Sequence, residues 1–455
     1  MQSNTRRKPA DPIFTHEGAR AAHIPPIQQL RRSVLSCLLW ESEFYESGQA
    51  ISDRIRKLVK KVVQRQGLGP VAALAIEARE AMHLRHVPLL LVREMARHGG
   101  PLVGPTLTRV IQRADEIAEF MAMYWAEGRT PIAKQVRKGL AAALRKFDAY
   151  QLAKYNRDKA ITLRDVMFMV HPEPMDEAQA QLWAKLANNQ LEAPDTWEVA
   201  LSGGADKRET FTRLLLEGKL GYLALLRNLR NMAEAGVEPG LVQRAILERK
   251  GAHNVLPFRY IAAVRAAPMF ASQLNQALLD CVAGSPVLPG RTVVLVDVSG
   301  SMSERLSEKS DLRRIDAAAA LASVINGDVR TFIYSTRCGE IPTYRGLPGV
   351  DQIVRAVGGG TDLTAGLAKT DAVEYDRLIV ITDEQTTHYR APCPRNPGAR
   401  HYLINVASAR NGVGYGAPWM HLDGFSEQVI RWIAAVEADK EPGRGQYGAL
   451  QEDRW

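Results

Sequence analysis

Three oxygen-bearing side chains follow a run of β-branched residues in the stretch VVLVDVSGSM, residues 293–302. Asp297, Ser299 and Ser301 stand at alternate positions, so their side chains can converge on one point. A buried strand also commonly ends in turn residues, and the two serines would then only cap the turn that follows. The spacing alone therefore allows either a metal site or a turn.

Two further oxygen-bearing residues lie downstream. Thr361 lies in the glycine-rich loop GGGTD, whose flexible backbone can bring a hydroxyl close, and Asp383 ends the apolar run RLIVITD. Ligands of an open parallel sheet sit outside the carboxyl ends of its strands, where Asp297 and Asp383 both fall. Carboxylate and hydroxyl oxygens together with water suit Mg²⁺. The sequence therefore predicts a divalent metal site, with Mg²⁺ as the cofactor, formed by these two aspartates with Ser299, Ser301 and Thr361.

The chemistry expected of this site is docking or structural support, because no base or nucleophile is evident beside the ligands. The set has few carboxylates and several neutral hydroxyls, so an acidic group from a partner could complete the shell of the cation. Haloacid dehalogenases also have an aspartate after a strand, but they need a second acid where this chain has Ser299. A strand-end aspartate is expected to be exposed without the metal, so Asp297→Ala should cost little stability.

From about residue 290 the chain alternates strand-like and helix-like segments, which predicts a doubly wound, mostly parallel α/β sheet. The predicted strands are 292–298, 328–335, 375–384 and 400–407, and the predicted helices are 311–327, 349–357 and 426–438. With its five oxygen ligands, the segment 290–438 resembles the von Willebrand factor A domain and its metal-ion-dependent adhesion site, with each ligand position intact. The tail, 439–455, is predicted to be loose.

The preceding part of the chain has helical periodicity from about residue 27 to 284. Short apolar-periodic segments are separated by glycine or proline, and no strand-like alternation lies between them. TLTRVIQRADEIAEFMAMYWAEG, residues 106–128, is one such segment. The pattern predicts an α solenoid of stacked helical pairs of the HEAT or armadillo kind. A cluster of glycine and proline at 283–291 marks the boundary with the second part.

The charge of the chain is unevenly distributed. The formal net charge is +9, but residues 291–455 hold 19 Lys and Arg against 21 Asp and Glu, so the excess positive charge lies before residue 291. Such asymmetry usually accompanies a polyanionic partner, most often nucleic acid, although a solvated basic surface has the same composition. The basic run SDRIRKLVKKVVQRQ, 52–66, fits either interpretation.

Composition limits the class of protein. No window approaches the ~18 uninterrupted apolar residues of a membrane span. The start, MQSNTRRKPADP, has no apolar segment behind its basic residues, so a secretory signal is not expected. The four cysteines lie far apart and form no CxxC pair, which disfavours a zinc site or a disulfide framework. A reducing, cytoplasmic location is the expectation.

A candidate nucleic-acid contact lies in the segment TLRDVMFMVH, 162–171, which begins with the spacing of a capping box. Arg164, Phe168 and His171 fall at i, i+4 and i+7 on one face of the predicted helix, where they can contact phosphate and stack a base. Lys154 and Arg157, just upstream, add phosphate ligands. The alternative for His171 is a residue that only ends the helix before a proline.

A second pair of cations lies in LGYLALLRNLRNM, 220–232. The helical period places Arg227 and Arg230 off the apolar stripe of this segment. They either contact RNA or pair with acidic residues.

Four stretches of the helical part carry a resemblance: FDAYQLAKYNRDKAITLRDVMFMVHPEP (147–174), TWEVALS (196–202), LGYLALLRNLRNM (220–232) and LPFRYIAA (256–263). In this order, and followed by the adhesion-site domain, they resemble the Ro ribonucleoprotein family, built on the TROVE module, over roughly residues 16–435. The resemblance implies a ring of HEAT-like helix pairs, 16–285, closed by the von Willebrand factor A domain.

The same resemblance implies partners. Ro proteins bind small noncoding Y RNAs on the outer rim and take single-stranded ends of misfolded RNA through the central hole. In bacteria they can join exoribonucleases in RNA quality control or maturation. The family's RNA-contacting histidine and lysine fall on His171 and Lys154, and no catalytic activity is implied.

Two functions from different classes remain at this point. The leading one is an RNA-binding scaffold of ribonucleoprotein particles without chemistry of its own. The alternative is a protein-binding adaptor whose metal site grips a partner carboxylate. A metal-dependent hydrolase is a third interpretation, and it predicts turnover that stops when Asp297 is lost.

Overall fold

The structure is a computed structural model of the 455-residue chain. It describes residues 13–14, 20–21, 25–35, 48–156, 159–255, 257–281, 283, 287–305, 312–386, 393–407, 412–414, 418–424 and 428–438. The chain divides into two compact units: a helical unit, Pro26–Ala283 with Ser307–Leu312, and a sheet unit, which contains Gly284–Leu306 and the residues from Arg313 onward. The sheet unit also takes in a short antiparallel pair, β1 (Ile13–Phe14) and β2 (Arg20–Ala21).

The helical unit consists of short α-helices. They are α1 (Pro26–Leu35), α2 (Gly48–Gln66), α3 (Gly69–Glu80), α4 (His86–His98), α5 (Val103–Val110), α6 (Asp115–Tyr124), α7 (Lys134–Leu144), α8 (Ala149–Tyr155), α9 (Leu163–Val170), α10 (Glu177–Ala187), α11 (Trp197–Ser202), α12 (Lys207–Leu216), α13 (Tyr222–Glu234), α14 (Pro239–Glu248), α15 (Phe258–Ala266) and α16 (Ala271–Cys281). Two 3₁₀ turns, Ala252–Asn254 and Pro268–Phe270, precede α15 and α16.

Each long helix buries one stripe of apolar side chains. In α2 the buried stripe contains Ile55, Leu58, Val59 and Val62, which recur at three- and four-residue intervals and so share one face. Helices α5 and α7 approach closely, because Gly139 has no side chain: a Cβ there would lie 2.8 Å from the Gly104 carbonyl oxygen. Packing of this kind, rather than helix propensity, stabilises such short helices.

The prediction of one helix over 106–128 is wrong, because α5 ends at Val110 and α6 begins at Asp115. The Glu116 carboxylate accepts hydrogen bonds from the backbone N–H groups of Gln112 and Arg113. Arg79 donates to the Val110 carbonyl oxygen at 3.0 Å. These side chains satisfy backbone groups that a continuous helix would have paired internally, so the break is stable.

The sheet unit holds a six-stranded sheet with the order β5-β4-β3-β6-β7-β8. Its strands are β3 (Leu288–Asp297), β4 (Gly327–Tyr334), β5 (Cys338–Ile341), β6 (Arg377–Thr382), β7 (Arg400–Asn405) and β8 (Trp419–Asp423), and its helices are α17 (Arg314–Val324), α18 (Leu347–Arg355), α19 (Leu363–Thr370) and α20 (Gln428–Ala438). A 3₁₀ turn, Gly300–Ser303, follows β3. All neighbouring strands are parallel except β4 and β5.

The fold class predicted from the sequence, a helical-repeat unit with a doubly wound α/β unit, is confirmed. Strands β5 and β8 and helix α19 were not predicted, because β5 is a short edge strand and the segments are too brief for a clear period. The predicted tail, 439–455, lies outside the described residues. No helix among the described residues is long and apolar enough to span a bilayer.

Candidate functional site

The two predicted metal-binding aspartates lie at the same edge of the sheet. Asp297 is the last residue of β3, and Asp383 follows directly after β6. These strands are hydrogen-bonded neighbours in parallel register, with Val296 opposite Ile381. Because neighbouring parallel strands end at the same edge of the sheet, the two carboxylates lie close together, as predicted from the sequence.

Asp297 is completely buried and held by hydrogen bonds on both carboxylate oxygens. Its Oδ1 accepts from the Ser299 N–H at 2.9 Å, and its Oδ2 accepts from the hydroxyls of Tyr334 at 3.1 Å and Thr382 at 2.7 Å. Burial, followed by the charge of Asp383, raises the pKa of Asp297 above its ordinary value. The pair of buried carboxylates is thus a place where a cation would relieve repulsion.

The glycine-rich loop lies against the turn that carries the serines. The Gly358 N–H donates to the Val298 carbonyl oxygen at 2.8 Å, and the Gly300 N–H donates to the Gly359 carbonyl oxygen at 2.9 Å. Gly358 and Gly359 have φ values of +151° and +84°, which other residues rarely adopt. The Thr386 hydroxyl donates to the Thr361 carbonyl oxygen at 3.3 Å. The backbone of Thr361 is thereby held between the ends of β3 and β6.

The donor set fits a hard divalent cation. The Oγ atoms of Ser299 and Ser301 lie 3.3 Å apart, next to the Asp297 carboxylate that the Ser299 backbone contacts. Among the described residues, no group of three or more His, Cys, Asp and Glu side chains is placed to hold a metal ion. A cation at this edge would therefore depend on the hydroxyls as well as the two carboxylates, a set that suits Mg²⁺ with its retained waters.

The expectation that Asp297 is exposed without the metal is wrong. Asp297, Ser299 and Asp383 are fully buried, and Ser301 is the half-exposed member of the set. The reason is that the loop carrying Gly358 and Gly359 closes over the strand ends through backbone hydrogen bonds. Access to the site is therefore greatest on the side of Ser301.

A buried arginine also reaches the site, and the sequence patterns did not indicate it. Arg314, the first residue of α17, is 3% exposed, and its Nη1 lies 3.4 Å from Asp383 Oδ2. Its backbone N–H donates to the Glu304 carbonyl oxygen at 2.8 Å, which fixes the start of α17 near the turn after β3. The protein therefore supplies one positive charge to this carboxylate from its own chain.

A second feature missed from the sequence is a carboxylate–imidazole–carboxylate cluster next to Asp383. Glu384 has φ +58° and is buried, with Oε2 at 3.1 Å from His421 Nε2 and Oε1 accepting from the Gly414 N–H. His421 Nδ1 lies 3.6 Å from Asp423 Oδ2. These residues are far apart in sequence, so only the adjacency of β7 and β8 to β6 brings them together.

The predicted RNA-contact segment forms α9 with the expected polarity. Thr162 is its N-cap in a complete capping box with Asp165, as predicted. Leu163, Val166 and Val170 are buried, whereas Phe168 is 51% exposed. The outer face of α9 therefore offers an exposed aromatic ring with which a partner can stack.

One cation lies over the exposed ring of Phe168. The Arg164 guanidinium lies 5.6 Å from the centroid of the ring. His171 is exposed and has a left-handed backbone, φ +48°, at the C-terminal end of α9. A non-glycine residue with positive φ is uncommon, although histidine is one of the residues that tolerates it. The three predicted residues thus share one exposed surface of α9.

Lys154 lies on α8 among tyrosines. Its Nζ is 5.4 Å from the ring centroid of Tyr150 and 5.8 Å from that of Tyr155. Among the described residues, no ion pair, hydrogen bond or ring contact joins this cluster to Arg164, Phe168 or His171. The predicted Arg157 lies outside the described residues.

Arg227 and Arg230 are exposed on α13, opposite its buried leucines. Arg230 Nε is 3.9 Å from Glu234 Oε1, a weak surface pair. Arg227 has no ion pair with any described residue, and its charge, after burial, lowers the pKa of Arg259 on α15. The sequence did not indicate Arg259, which stacks its guanidinium 5.1 Å from the Phe258 ring centroid. The charge of Arg227 thus reaches Arg259, and in the part of the chain that the structure describes neither arginine forms an ion pair with an acid.

Comparison with known proteins adds two relationships of sequence. Residues 187–279 match the family model of the TROVE domain, a range that includes Arg227 and Arg230. Telomerase protein component 1 of Rattus norvegicus is 31% identical over 109 residues, and that of Mus musculus is 32% identical over 109 residues. The match spans 23% of this chain but only 4% of either relative.

A solved structure covers nearly the whole chain. The Ro protein of Deinococcus radiodurans matches 91% of this chain and 100% of its own, with a TM-score of 0.59 and 16% sequence identity. At this identity the likeness is one of fold. The two units described above are therefore similar in fold to that protein.

Proposed function

We propose that the chain is a member of the Ro family and an RNA-binding component of ribonucleoprotein particles, because residues 187–279 match the TROVE domain and the fold is similar to that of a Ro protein. The observation that carries the proposal is the exposed face of α9, where Phe168 offers a ring to an unstacked base. Arg164 lies over the same ring, and His171 adds a phosphate or base contact. The excess of positive charge before residue 291 supports the same partner.

In finer detail, the RNA is a small noncoding Y-like RNA, and the protein also takes structured or misfolded RNA with single-stranded 3′ ends. Lys154 on α8 and Arg164 and His171 on α9 contact the first, and Arg227 and Arg230 on α13 contact the second. In this proposal the protein acts in the cytoplasm in RNA quality control or maturation, with an exoribonuclease as a partner. No membrane partner and no catalysis by the chain itself are proposed.

The metal site has a separate role in this proposal. Asp297, Ser299, Ser301, Thr361 and Asp383 hold Mg²⁺, which supplies a positive field for an acidic group of a partner. The half-exposed Ser301 marks the side from which such a group would approach. The second candidate function, a protein-binding adaptor without an RNA role, rests on this site alone.

A filter-binding titration of the full chain with a structured small RNA tests the proposal. Phe168→Ala and His171→Ala should each weaken binding, because each removes a group from the α9 surface. Tyr344→Ala and His98→Ala are matched controls, since they remove an exposed aromatic ring and an exposed imidazole elsewhere. Salt-independent or absent RNA binding by the wild type would instead favour the protein-binding adaptor.

A further inference from the structure

The cations of the helical unit differ in how they are neutralised. Arg79 lies 2.7 Å from Glu116, Arg85 lies 2.6 Å from Asp115, and Arg93 lies 2.5 Å from Glu94. Each of these guanidiniums shares its charge with a carboxylate inside the helix packing. Such paired arginines add little to the field that a polyanion meets at the surface.

The outer face of α2 has the opposite character. Lys57, Lys60, Lys61 and Arg65 are all exposed, and none forms an ion pair with any described residue. Their spacing of three, four and eight residues places them on one face, with neighbouring side chains roughly 5–6 Å apart. At 1.5 Å per residue the set spans about 12 Å of the helix axis. We call these four residues the α2 basic face.

Acidic residues do not offset the charge of this face along the chain. The segment 54–76 contains no Asp or Glu. The acid that precedes it on α2, Asp53, accepts a hydrogen bond from Gln49 at 3.0 Å and pairs with Arg56 at 3.4 Å. The opposite side of α2 is fixed by its buried stripe, so the helix presents the α2 basic face in a defined orientation. A fixed, unneutralised row of cations is what a phosphate backbone recognises.

We propose that the α2 basic face binds the phosphate backbone of a double-stranded RNA stem, which deepens the proposed RNA-binding function and rests on it. No aromatic residue occurs in α2, so this face cannot stack unpaired bases. Lysine is a point charge that suits phosphate without reading sequence. An A-form RNA duplex hides its bases and presents closely spaced phosphates on its surface, so about 12 Å of helix meets several of them.

This assignment separates two kinds of RNA contact. The face of α9 carries an exposed ring, suited to a base that is out of the stack. The α2 basic face carries only cations, suited to a backbone, and the exposed Gln64 lies beside it. An RNA with both a stem and an unpaired segment, such as a hairpin with a tail, offers a ligand to each.

The test uses the full chain and the triple variant Lys57→Gln, Lys60→Gln and Lys61→Gln, because glutamine keeps the helix propensity of lysine and removes its charge. Fluorescence anisotropy measures affinity for a blunt RNA hairpin between about 50 and 200 mM salt. Binding should weaken about tenfold or more at about 0.1 M salt, and the slope of log K against log salt should fall by about 2–3. A variant with arginine at all three positions should retain the affinity for the hairpin and the salt slope of the wild type.

The matched control removes the same net charge from ion-paired surface cations. Arg213 lies 2.6 Å from Asp195, Lys219 lies 2.9 Å from Asp195, and Arg330 lies 2.7 Å from Glu340. The triple variant Arg213→Gln, Lys219→Gln and Arg330→Gln should bind the hairpin as the wild type does. An equal loss in both triple variants would mean that only net charge matters, and the proposal would be overturned.

Further outcomes separate the proposal from its premise. If the wild type binds the hairpin and the lysine-to-glutamine variant binds with the same affinity and salt slope, the α2 basic face is not the stem site, while the proposed function stands. If the wild type binds neither the hairpin nor a single-stranded RNA, the proposed function itself fails.

Vesicles containing phosphatidylserine test whether the α2 basic face binds a membrane surface instead. Binding to them that the variant loses, with hairpin binding unchanged, would assign the face to a membrane surface and overturn the stem proposal.

Discussion

Arg314 Nη1 lies 3.4 Å from Asp383 Oδ2, and both side chains are buried at the edge of the sheet where the metal site is proposed. A cation from the chain itself is therefore already in contact with one of the two carboxylates that would bind Mg²⁺. A metal ion and the guanidinium are both attracted to the same oxygen, so they compete for it.

Replacement of Arg314 by methionine should strengthen Mg²⁺ binding, because the competing charge is removed. The same variant should be less stable than the wild type in a chelator, since two buried carboxylates are then left without a cation. Added Mg²⁺ should restore most of that stability. Calorimetric Mg²⁺ titration and thermal melting with and without chelator measure the two effects. Arg355→Met, at the end of α18, is the control. Unchanged Mg²⁺ affinity would show that Arg314 does not compete.

Asp297→Ala should abolish Mg²⁺ binding and should destabilise the sheet unit by about 2–4 kcal/mol, because the buried hydroxyls of Tyr334 and Thr382 lose their acceptor. Asp297→Asn keeps an acceptor oxygen and removes the charge that Asp383 repels, so without metal it should be the more stable of the two. Urea unfolding in a chelator compares the stabilities of the two variants.

The affinity of both Asp297 variants for RNA should stay close to that of the wild type. A collapse of RNA affinity in a folded variant would show that the metal site and RNA binding are coupled. Mg²⁺-dependent cleavage of RNA by the wild type that either variant lacks would contradict the scaffold function.

Arg227 and Arg259 are expected to contact the same RNA segment, since the charge of Arg227 reaches Arg259 and neither forms an ion pair with a described residue. Crosslinking of an RNA with a single-stranded 3′ tail should map to α13 or α15. The double variant Arg227→Gln and Arg259→Gln should weaken binding of the tailed RNA more than binding of a blunt hairpin. Arg230→Gln should weaken binding of the tailed RNA less than Arg227→Gln does, because Arg230 is already close to Glu234. Crosslinks confined to α9 would argue against a role of α13.

The helical unit should lose stability in acid partly through Glu119. Burial acts to raise the pKa of Glu119, but His86, Arg85 and Lys159 beside it prevail and lower that pKa from 4.5 to about 2. A carboxylate with a depressed pKa stabilises the folded state fully above its unfolded pKa, and this contribution is lost as the pH falls toward the folded value. Glu119→Gln should therefore flatten the loss of stability between about pH 4.5 and 2.

Thermal melting across that window measures this effect, with Glu192→Gln, an exposed residue, as the control. Parallel curves for the wild type and Glu119→Gln would show that the Arg85 contact, 2.8 Å long, does not contribute.

Local patterns in the sequence determined much of this protein. The alternation of strands and helices predicted the doubly wound sheet, and the end of an apolar run placed Asp297 and Asp383 at strand ends, because strand direction fixes which edge their side chains share. The capping box at Thr162 and the period of α9 placed Phe168 on the outer face, because both depend on residues within one helix.

The tertiary structure decided what depends on residues far apart in the chain. Asp297 is buried where Tyr334 and Thr382, 37 and 85 positions away in the chain, donate to its carboxylate, and Arg314 reaches Asp383 across 69 positions. The break between α5 and α6 depends in part on Arg79, which no local pattern connects with Val110. Likewise, the sequence supplies the cations of the helical unit, but packing determines which of them meet a carboxylate. Coulombic attraction depends on distance in space, so only the packed structure shows that the α2 basic face forms no ion pair with a described carboxylate.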